Sequence, residues 1–312
     1  MSTVFLGTTE FAASILDRLA ERPEHRPALV ITRPDRPRGR GRALASPPVA
    51  ERAHALGIAL AQPDDVNDES TAALVADARP DAVVVCAFGA LIKEPLLSIQ
   101  TLLNVHPSLL PRWRGAAPVE RAIMAGDART GVSIMRLTAG LDSGPVCLVA
   151  DEPIEAHDSY GSLVPRLQAL SSELLLRVLD ETAAGDPPEF VEQDESGVTY
   201  AEKIGPADRL LDPARPASEL ERVVRALHPH IGARVALTDG TMLGVHEATL
   251  VERDDDRGPD GDRTLGVIPS EDGRLLLICS EGALQLLRVQ PPGGRPMDAD
   301  AYLRGHGAPG RR

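Results

Sequence analysis

The sequence predicts an α/β fold in which a mostly parallel sheet is followed by a small β-barrel. Short apolar runs alternate with helical patterns over the first half of the chain, as in a parallel sheet covered by helices on both faces. A stretch rich in proline, glycine and aspartate follows at residues 185–213. Beyond it, short strand-like runs recur with turn residues between them, which is typical of a small barrel.

The first half contains the elements of the predicted parallel sheet in order. We expect strands at residues 4–6, 28–32, 81–87, 102–105, 131–137 and 145–150. Helical apolar spacing is found at residues 11–19, 49–56, 71–78 and 163–178, and Pro165 is expected in the first turn of the last helix. The first turn, GTTEFA, has one glycine and lacks the GxGxxG pattern, so a dinucleotide cofactor is not favoured.

The sequence of the second half of the chain predicts a helix at 218–227 and the strands of the barrel. These strands are expected at 233–237, 242–245, 264–268, 274–278 and 284–289, with the acidic run 252–262 as an exposed loop. The predicted domain organisation is a catalytic domain at 1–184, a linker at 185–213 and a C-terminal domain at 214–312.

Composition restricts the class of protein. The chain has 312 residues, 43% apolar and 25% charged, with a formal net charge of -13. This charge argues against a generally basic nucleic-acid-binding protein, so a polyanionic partner needs a local positive patch, and no DNA partner is expected. The three cysteines form no CxxC or Cys/His cluster, and the N-terminus lacks the basic region of a signal peptide. No apolar run approaches the roughly 18 residues of a membrane span. We therefore expect a cytoplasmic protein.

Two polar residues stand out at the end of the strand that begins at residue 102. Asn104 and His106 are two positions apart, so in an extended segment both side chains project to the same face. Pro107 disfavours helical geometry at His106 and supports the extended conformation. An amide and an imidazole at a strand end are suited to polarising a carbonyl and moving protons. The alternative is that Asn104 caps a turn and His106 is a buried, hydrogen-bonded histidine.

A carbonyl-transfer site also needs a group that orients the imidazole and stabilises its cation, usually a carboxylate. Asp142, in the loop GLDSG, is the best candidate. The alternative reading of Asp142 is an ordinary turn aspartate.

Several segments resemble formyltransferases that use 10-formyltetrahydrofolate. The longest are NVHPSLLPRWRGAAP at 104–118 and GVSIMRLTAGLDSGPV at 131–146. Shorter ones are GTTEFA at 7–12, RPDRPRGRG at 33–41, VVVCAFGALI at 83–92, TYAEKI at 199–204 and LQLLRVQPPGGRPM at 284–297. The resemblance spans nearly the whole chain. It departs from the family where GTTEFA stands for GTPDFA, where AFG stands for AYG, and where HPHIGARVAL at 228–237 lacks tryptophans, which leaves the RNA contacts of the barrel open.

The resemblance implies a Rossmann-like catalytic domain followed by an OB-type barrel that binds tRNA. It assigns catalysis to Asn104, His106 and Asp142. It places the folate cosubstrate against Phe88, Gly89, Ser108, Leu109, Leu110 and Pro111, and the substrate tRNA against Arg36, Arg38, Arg40 and Arg42.

The implied reaction moves the formyl group of 10-formyltetrahydrofolate to the α-amine of charged initiator methionyl-tRNA, with no metal. The arginine-rich segment is the local positive patch that the acidic chain requires, on a loop that its prolines and glycines are expected to keep out of helix and strand. One alternative is formyl transfer to a small amine, such as a glycinamide ribonucleotide or an amino sugar. Another is a catalytically silent folate-binding or RNA-binding module.

Overall fold

The fold is taken from a computed structural model that describes residues 1–38, 43–251, 265–270 and 273–306. The chain forms two compact units. The N-terminal unit comprises Met1–Pro118, Arg129–Pro153 and Val164–Glu202. The C-terminal unit comprises Val119–Ala128, Ile154–Leu163 and Lys203–Arg312. The predicted domain boundaries at 184 and 213 stay a prediction.

The strands of the N-terminal unit belong to one large sheet and two short ladders. They are β1 (Thr3–Gly7), β2 (Pro27–Ile31), β3 (Arg36–Arg38), β4 (Ala43–Ala45), β5 (Ala59–Ala61), β6 (Ala82–Cys86), β7 (Leu102–His106), β8 (Arg114–Gly115), β9 (Arg129–Arg136), β10 (Val146–Pro153) and β11 (Tyr200–Ala201).

The large sheet has seven strands in the order β10-β9-β7-β6-β1-β2-β5. The strands from β7 to β5 are all parallel, whereas β9 pairs antiparallel with both β7 and β10. The prediction of a mostly parallel sheet is therefore confirmed. Its central strands, β1, β6 and β7, are buried along their whole length, as expected when helices cover both faces.

Helices connect these strands. They are α1 (Glu10–Ala20), α2 (Pro48–Leu56), α3 (Glu69–Ala78), α4 (Leu96–Ile99), α5 (Pro118–Ala125) and α6 (Tyr160–Ala183). In α1 the Thr9 hydroxyl accepts from the Ala12 amide at 3.4 Å, which caps the first turn, and the face bearing Ile15, Leu16 and Leu19 is buried. Burial of such faces against the sheet forms the core of the unit.

The start of α6 differs from the prediction. The helix begins at Tyr160, so Pro165 lies in its second turn and not in the first. Ser159 and Ser162 explain the earlier start, because each hydroxyl accepts from the other residue's amide, at 3.3 and 3.0 Å, as in a capping box.

The C-terminal unit is built around an antiparallel sheet. Its strands are β12 (Ala233–Ala236), β13 (Met242–Val251), β14 (Gly266–Pro269), β15 (Leu275–Ile278), β16 (Ala283–Gln290) and β17 (Met297–Asp298). The order is β12-β13-β16-β15-β14, and β17 pairs with β16. The buried faces of helix α7 (Ala217–Leu227) and helix α8 (Ala299–His306) join the same apolar core, and the unit fits the predicted small barrel.

The arginine-rich segment contains a strand that the sequence did not predict. Arg36–Arg38 pairs antiparallel with Ala43–Ala45. The expectation that its prolines keep the whole segment out of strands is therefore wrong. A two-stranded ladder has only edges, so Pro37 can stand where its missing N–H is not needed.

Among the helices of the described ranges, none is long and apolar enough to cross a membrane.

Candidate active site

Strand β7 places Asn104 and His106 in the interior of the N-terminal unit. The strand is hydrogen-bonded on both sides, with Asn104 opposite Val85 of β6 and opposite Met135 of β9. Asn104 is 8% exposed and His106 is 4% exposed. Both side chains reach the carboxylate of Asp142, as expected for residues that share one face of a strand.

Asp142 brings the predicted residues together. Its Oδ1 accepts a hydrogen bond from the Asn104 amide nitrogen at 3.2 Å, and its Oδ2 accepts one from the Gly115 backbone N–H at 2.9 Å. The same Oδ2 lies 3.7 Å from Nδ1 of His106. Asp142 has a φ of 44°, in the left-handed region that aspartate tolerates better than most residues. The carboxylate is thus fixed by several partners and is not an ordinary turn aspartate.

The contact made by the second ring nitrogen of His106 shows which nitrogen bears a hydrogen. Nε2 lies 2.9 Å from the backbone oxygen of Trp113. A carbonyl oxygen can only accept, so Nε2 bears a hydrogen. Nδ1 is therefore the atom that faces Asp142, and a proton added there is met by a carboxylate. The ring is thus oriented at both nitrogens, with Nε2 toward Trp113 and Nδ1 toward Asp142.

The turn after β7 is stabilised by buried hydroxyls. The Ser108 hydroxyl, fully buried, donates to the Arg112 carbonyl at 2.7 Å. The Ser133 hydroxyl donates to the Ser108 carbonyl at 2.8 Å and accepts from the Leu110 amide at 3.1 Å. Ser108 thus shapes the turn through its side chain. The side chains of Leu109, Leu110 and Pro111 are half-buried, and they give the turn a partly accessible apolar surface.

Residues 193–201 support the site, although the sequence analysis treated this stretch as part of a linker. Strand β11 pairs with β8, and the Thr199 hydroxyl accepts from the Trp113 amide at 2.9 Å. Gly115 has a φ of 124°, and a Cβ there would lie 2.7 Å from the Ala201 carbonyl oxygen. This close approach holds Trp113 and Gly115, the two residues whose backbone contacts His106 and Asp142. The motif TYAEKI was the available signal for this stretch.

Gln193 is a further residue that the sequence did not reveal. Its amide nitrogen donates to the backbone oxygens of Asp142 at 2.9 Å and Gly144 at 2.7 Å. Its amide oxygen accepts from Nε of Arg114 at 3.0 Å. Arg114 is buried, and its guanidinium also pairs with Glu195 at 2.8 Å. No pattern in the sequence around Gln193 points to this position.

The structure places Phe88 and Gly89 directly after β6. The Phe88 side chain is buried in the apolar core of the N-terminal unit, and its carbonyl accepts from the Thr8 hydroxyl at 2.8 Å. Gly89 has a φ of 77°, which favours glycine, and its carbonyl accepts from Arg33 at 2.6 Å. Their backbone therefore lies at the carboxyl ends of β1, β2 and β6, where open α/β sheets bind ligands.

The predicted tRNA-contacting arginines are only partly described. Arg36 lies in β3 with an exposed side chain, and Arg38 lies in the same strand. Arg40 and Arg42 lie outside the described residues.

Two cysteines lie in strands near the site, and burial controls their chemistry. Burial raises the pKa of the Cys86 thiol far above its usual range. Burial also raises the pKa of Cys147 to about 11. Both thiols stay protonated near neutral pH, and only the thiolate is a strong nucleophile. Neither thiol is therefore expected to act as a nucleophile near neutral pH.

An amide, an imidazole and a carboxylate at the end of a parallel strand suit carbonyl-transfer chemistry, and comparison with known families gives the same class. Residues 1–179 match the family described as "Formyl transferase", and residues 203–307 match "Formyl transferase, C-terminal domain". The chain belongs to the formyl transferase family. It is an enzyme of formyl-group transfer.

Sequence similarity to curated proteins extends over nearly the whole chain. A "Methionyl-tRNA formyltransferase" of Stenotrophomonas maltophilia is 43% identical over 305 residues, covering 97% of this chain and 97% of the relative. One from Pseudomonas paraeruginosa is 44% identical over 307 residues, covering 97% of this chain and 95% of the relative. The likeness therefore includes both units.

Solved structures share the fold at low sequence identity. An N-formyltransferase from Helicobacter canadensis, in complex with folinic acid and dTDP-3-aminofucose, has a TM-score of 0.64 at 13% identity, covering 91% of this chain and 98% of that chain. HypX from Aquifex aeolicus in complex with tetrahydrofolic acid has a TM-score of 0.62 at 17% identity, covering 96% of this chain and 46% of that chain. The chain thus spans about half the length of HypX.

Proposed function

We propose that the protein transfers the formyl group of 10-formyltetrahydrofolate to the α-amine of methionyl-tRNA, which produces formylmethionyl-tRNA for translation initiation in the cytoplasm. The observation that carries the proposal is the single carboxylate, Asp142, that contacts both Asn104 and His106 on strand β7. The names of the relatives that match over nearly the full length support the choice of acceptor.

Asn104 and His106 stabilise the charge that develops during transfer. The acceptor amine attacks the formyl carbon, and the carbonyl oxygen becomes an oxyanion that needs hydrogen-bond donors. The Asn104 amide nitrogen has two hydrogens. One is donated to Asp142, and the other has no protein partner within the part of the chain that the structure describes. Asn104 therefore provides one donor, and the Nδ1–H of protonated His106 provides the second, since its Nε2–H is donated to Trp113.

The transfer balances in bonds and protons. A bond forms between the amine nitrogen and the formyl carbon, and the bond between that carbon and N10 of the folate breaks. The amine loses one proton and N10 gains one, so formylmethionyl-tRNA and tetrahydrofolate are the products. His106 relays this proton directly or through water, with Asp142 facing the nitrogen that changes its protonation.

The folate donor is proposed to bind beside this trio of side chains. The turn of Ser108, Leu109, Leu110 and Pro111 follows His106 directly and is half-buried at its last three residues, which suits the face of an aromatic ring system. Phe88 and Gly89 contribute backbone at the neighbouring strand end. The fold's likeness to proteins solved with folinic acid or tetrahydrofolic acid supports this type of donor.

The tRNA is proposed to contact the arginine-rich segment that contains Arg36, Arg38, Arg40 and Arg42. The planar guanidinium pairs with phosphates, and the segment is a local positive patch on a chain with a net charge of -13. The exposed side chain of Arg36 supports this proposal.

The direct experiment is a formyl-transfer assay with purified protein and 10-formyltetrahydrofolate. The acceptors are methionyl-initiator tRNA, the same tRNA uncharged, a glycinamide ribonucleotide and a nucleotide-linked amino sugar. Rapid formylation of the charged tRNA alone supports the proposal. Efficient transfer to either small amine, with little transfer to charged tRNA, contradicts it. Donor binding without transfer to any acceptor would identify a silent binding module.

A further inference from the structure

The side-chain contacts of Asp142 do not by themselves hold the backbone of its loop in place. The residue lies on the loop between β9 and β10 with its backbone in the left-handed region, at a φ of 44°. A loop in this conformation persists only when its surroundings fix it. The carboxylate contacts Asn104 and Gly115, but those contacts fix only the end of the side chain. The loop backbone must be held separately.

Gln193 supplies that constraint. Its amide nitrogen donates to the backbone oxygens of Asp142 and Gly144, two residues apart, at 2.9 and 2.7 Å. These bonds span the part of the loop that includes Asp142. The donors come from a residue 51 positions later in the chain than Asp142, outside the loop itself.

The orientation of the Gln193 amide is determined by its partners. Nε–H of Arg114 can only donate, and the two backbone oxygens can only accept. A flipped amide would place its oxygen against two carbonyl oxygens and its nitrogen against a donor. Arg114 itself is buried and is paired with Glu195 at 2.8 Å, so the acceptor side of Gln193 is fixed as well.

We propose that Gln193 is a positioning residue for formyl transfer, which holds the Asp142 loop so that the carboxylate meets His106 and Asn104. The proposal rests on the proposed catalytic role of Asp142. Among the described residues, the hydrogen bonds of Gln193 lead to the backbone of the Asp142 loop and to Arg114, and none leads to His106 or Asn104. Small displacements of a catalytic group reduce turnover strongly, so Gln193→Met should lower kcat by about 10- to 100-fold. The KM for the folate donor should change by less than about twofold, because Gln193 does not contact the proposed folate turn.

Gln290 provides a matched control. It is also a glutamine whose amide nitrogen donates to a loop carbonyl, that of Gly294 at 2.9 Å, and whose oxygen contacts a side chain, His246, at 2.9 Å. It belongs to the C-terminal unit. Gln290→Met should lower the melting temperature about as much as Gln193→Met and leave kcat unchanged.

Gln193→Glu gives a readout that a general loss of stability would not produce. An ionised glutamate keeps the contact with Arg114 but presents an oxygen to two carbonyls, so kcat should be as low as in Gln193→Met near neutral pH. Because Gln193→Glu keeps the Arg114 contact that Gln193→Met loses, an equal loss of kcat in the two variants assigns the effect to the bonds with the loop carbonyls.

The test combines two measurements on these variants. Steady-state formyl transfer to methionyl-tRNA gives kcat, and amide hydrogen exchange, measured without the tRNA acceptor, follows the peptide that covers residues 138–146. We expect faster exchange of this peptide in Gln193→Met and wild-type exchange in Gln290→Met. In a background of Asp142→Asn, Gln193→Met should lower kcat by less than about threefold, because the group that it positions is already gone.

Four other results would each overturn the positioning role of Gln193. Wild-type kcat in Gln193→Met, unchanged exchange of the loop peptide, or an equal loss of kcat in Gln290→Met overturns the positioning role. A full, multiplied loss in the Asp142→Asn background overturns it as well. If the wild-type protein does not formylate methionyl-tRNA, the proposed acceptor is wrong, and the exchange measurement alone then decides whether Gln193 holds the loop.

Discussion

The strand-borne and loop-borne halves of the candidate site are held in different ways. Asn104 and His106 lie in the middle of a seven-stranded sheet, where the register with β6 and β9 sets their positions. Asp142 lies on an irregular loop, and its position depends on hydrogen bonds to Gly115, Asn104 and Gln193. The sheet thus fixes two groups through backbone pairing, whereas the loop group requires support from distant parts of the chain. Loss of a group from either half is expected to abolish efficient chemistry, but the loop half should be the more sensitive to residues outside the trio.

The largest effect is expected for Asp142→Asn. The variant keeps one acceptor oxygen but places an NH2 group against one of the two donors, the Asn104 amide or the Gly115 N–H, and it removes the negative charge that faces Nδ1 of His106. We expect kcat to fall by about 10³- to 10⁴-fold, as for removal of other orienting carboxylates. Steady-state formyl transfer measures this loss, and circular dichroism with folate binding verifies that the fold is intact. Near-normal turnover would remove Asp142 from the mechanism.

The next largest losses of kcat are expected for the two strand-borne residues. Asn104→Ala removes one proposed oxyanion donor, and His106→Ala removes the other together with the proton relay. We expect kcat to fall by about 10²- to 10³-fold in each, since one donor has that typical value. A change confined to KM in either variant would show that the residue binds substrate without stabilising the transition state.

The arginine-rich segment should affect binding and leave the chemistry alone. Arg38→Ala combined with Arg40→Ala and Arg42→Ala should raise the KM for charged tRNA by about tenfold and flatten its salt dependence, with each lost phosphate contact lowering the slope by about one. Initial rates at several salt concentrations measure both quantities. Donor binding should be unaffected. If the KM and its salt slope both match those of the wild type, the tRNA contacts lie elsewhere.

The smallest loss of kcat/KM is expected for substitution of Ser133, which stabilises the turn after β7. Its buried hydroxyl joins the Ser108 carbonyl and the part-buried Leu110 amide, so Ser133→Ala removes a hydrogen-bond partner from both backbone groups. The free energy of unfolding should fall by about 1 to 3 kcal/mol. Urea denaturation measures the loss, and kcat should stay within a few-fold of the wild type because the sheet still holds His106. An unchanged unfolding free energy would mean that the turn does not depend on this hydroxyl.

Much of the fold followed from local patterns in the sequence. Buried strands such as β1, β6 and β7 read as continuous apolar runs, and α1 shows its helical spacing directly. The pairing of β3 with β4 could not be foreseen, since strands of three residues are too short to show an alternating apolar pattern. The early start of α6 depended on two serines whose reciprocal bonds leave only a weak signal.

The site was predictable only in part, for physical reasons. The spacing of Asn104 and His106 and the following proline identified the strand-borne pair. Asp142 was identified by resemblance to a family, because nothing in a Gly-flanked loop distinguishes a catalytic from a turn aspartate. Trp113 and Gly115 act through backbone groups, which every residue carries, and Gln193 lies in a stretch whose composition resembled a linker.

The most direct test of the account is a double-mutant cycle between the two halves of the site. The kcat of formyl transfer is measured for His106→Ala, Asp142→Asn and the variant that carries both changes. If the strand-borne imidazole and the loop-borne carboxylate act as one unit, the double variant will be no more than about threefold slower than the slower single variant. If the losses multiply, the two residues act independently, and the 3.7 Å contact between them has no catalytic meaning.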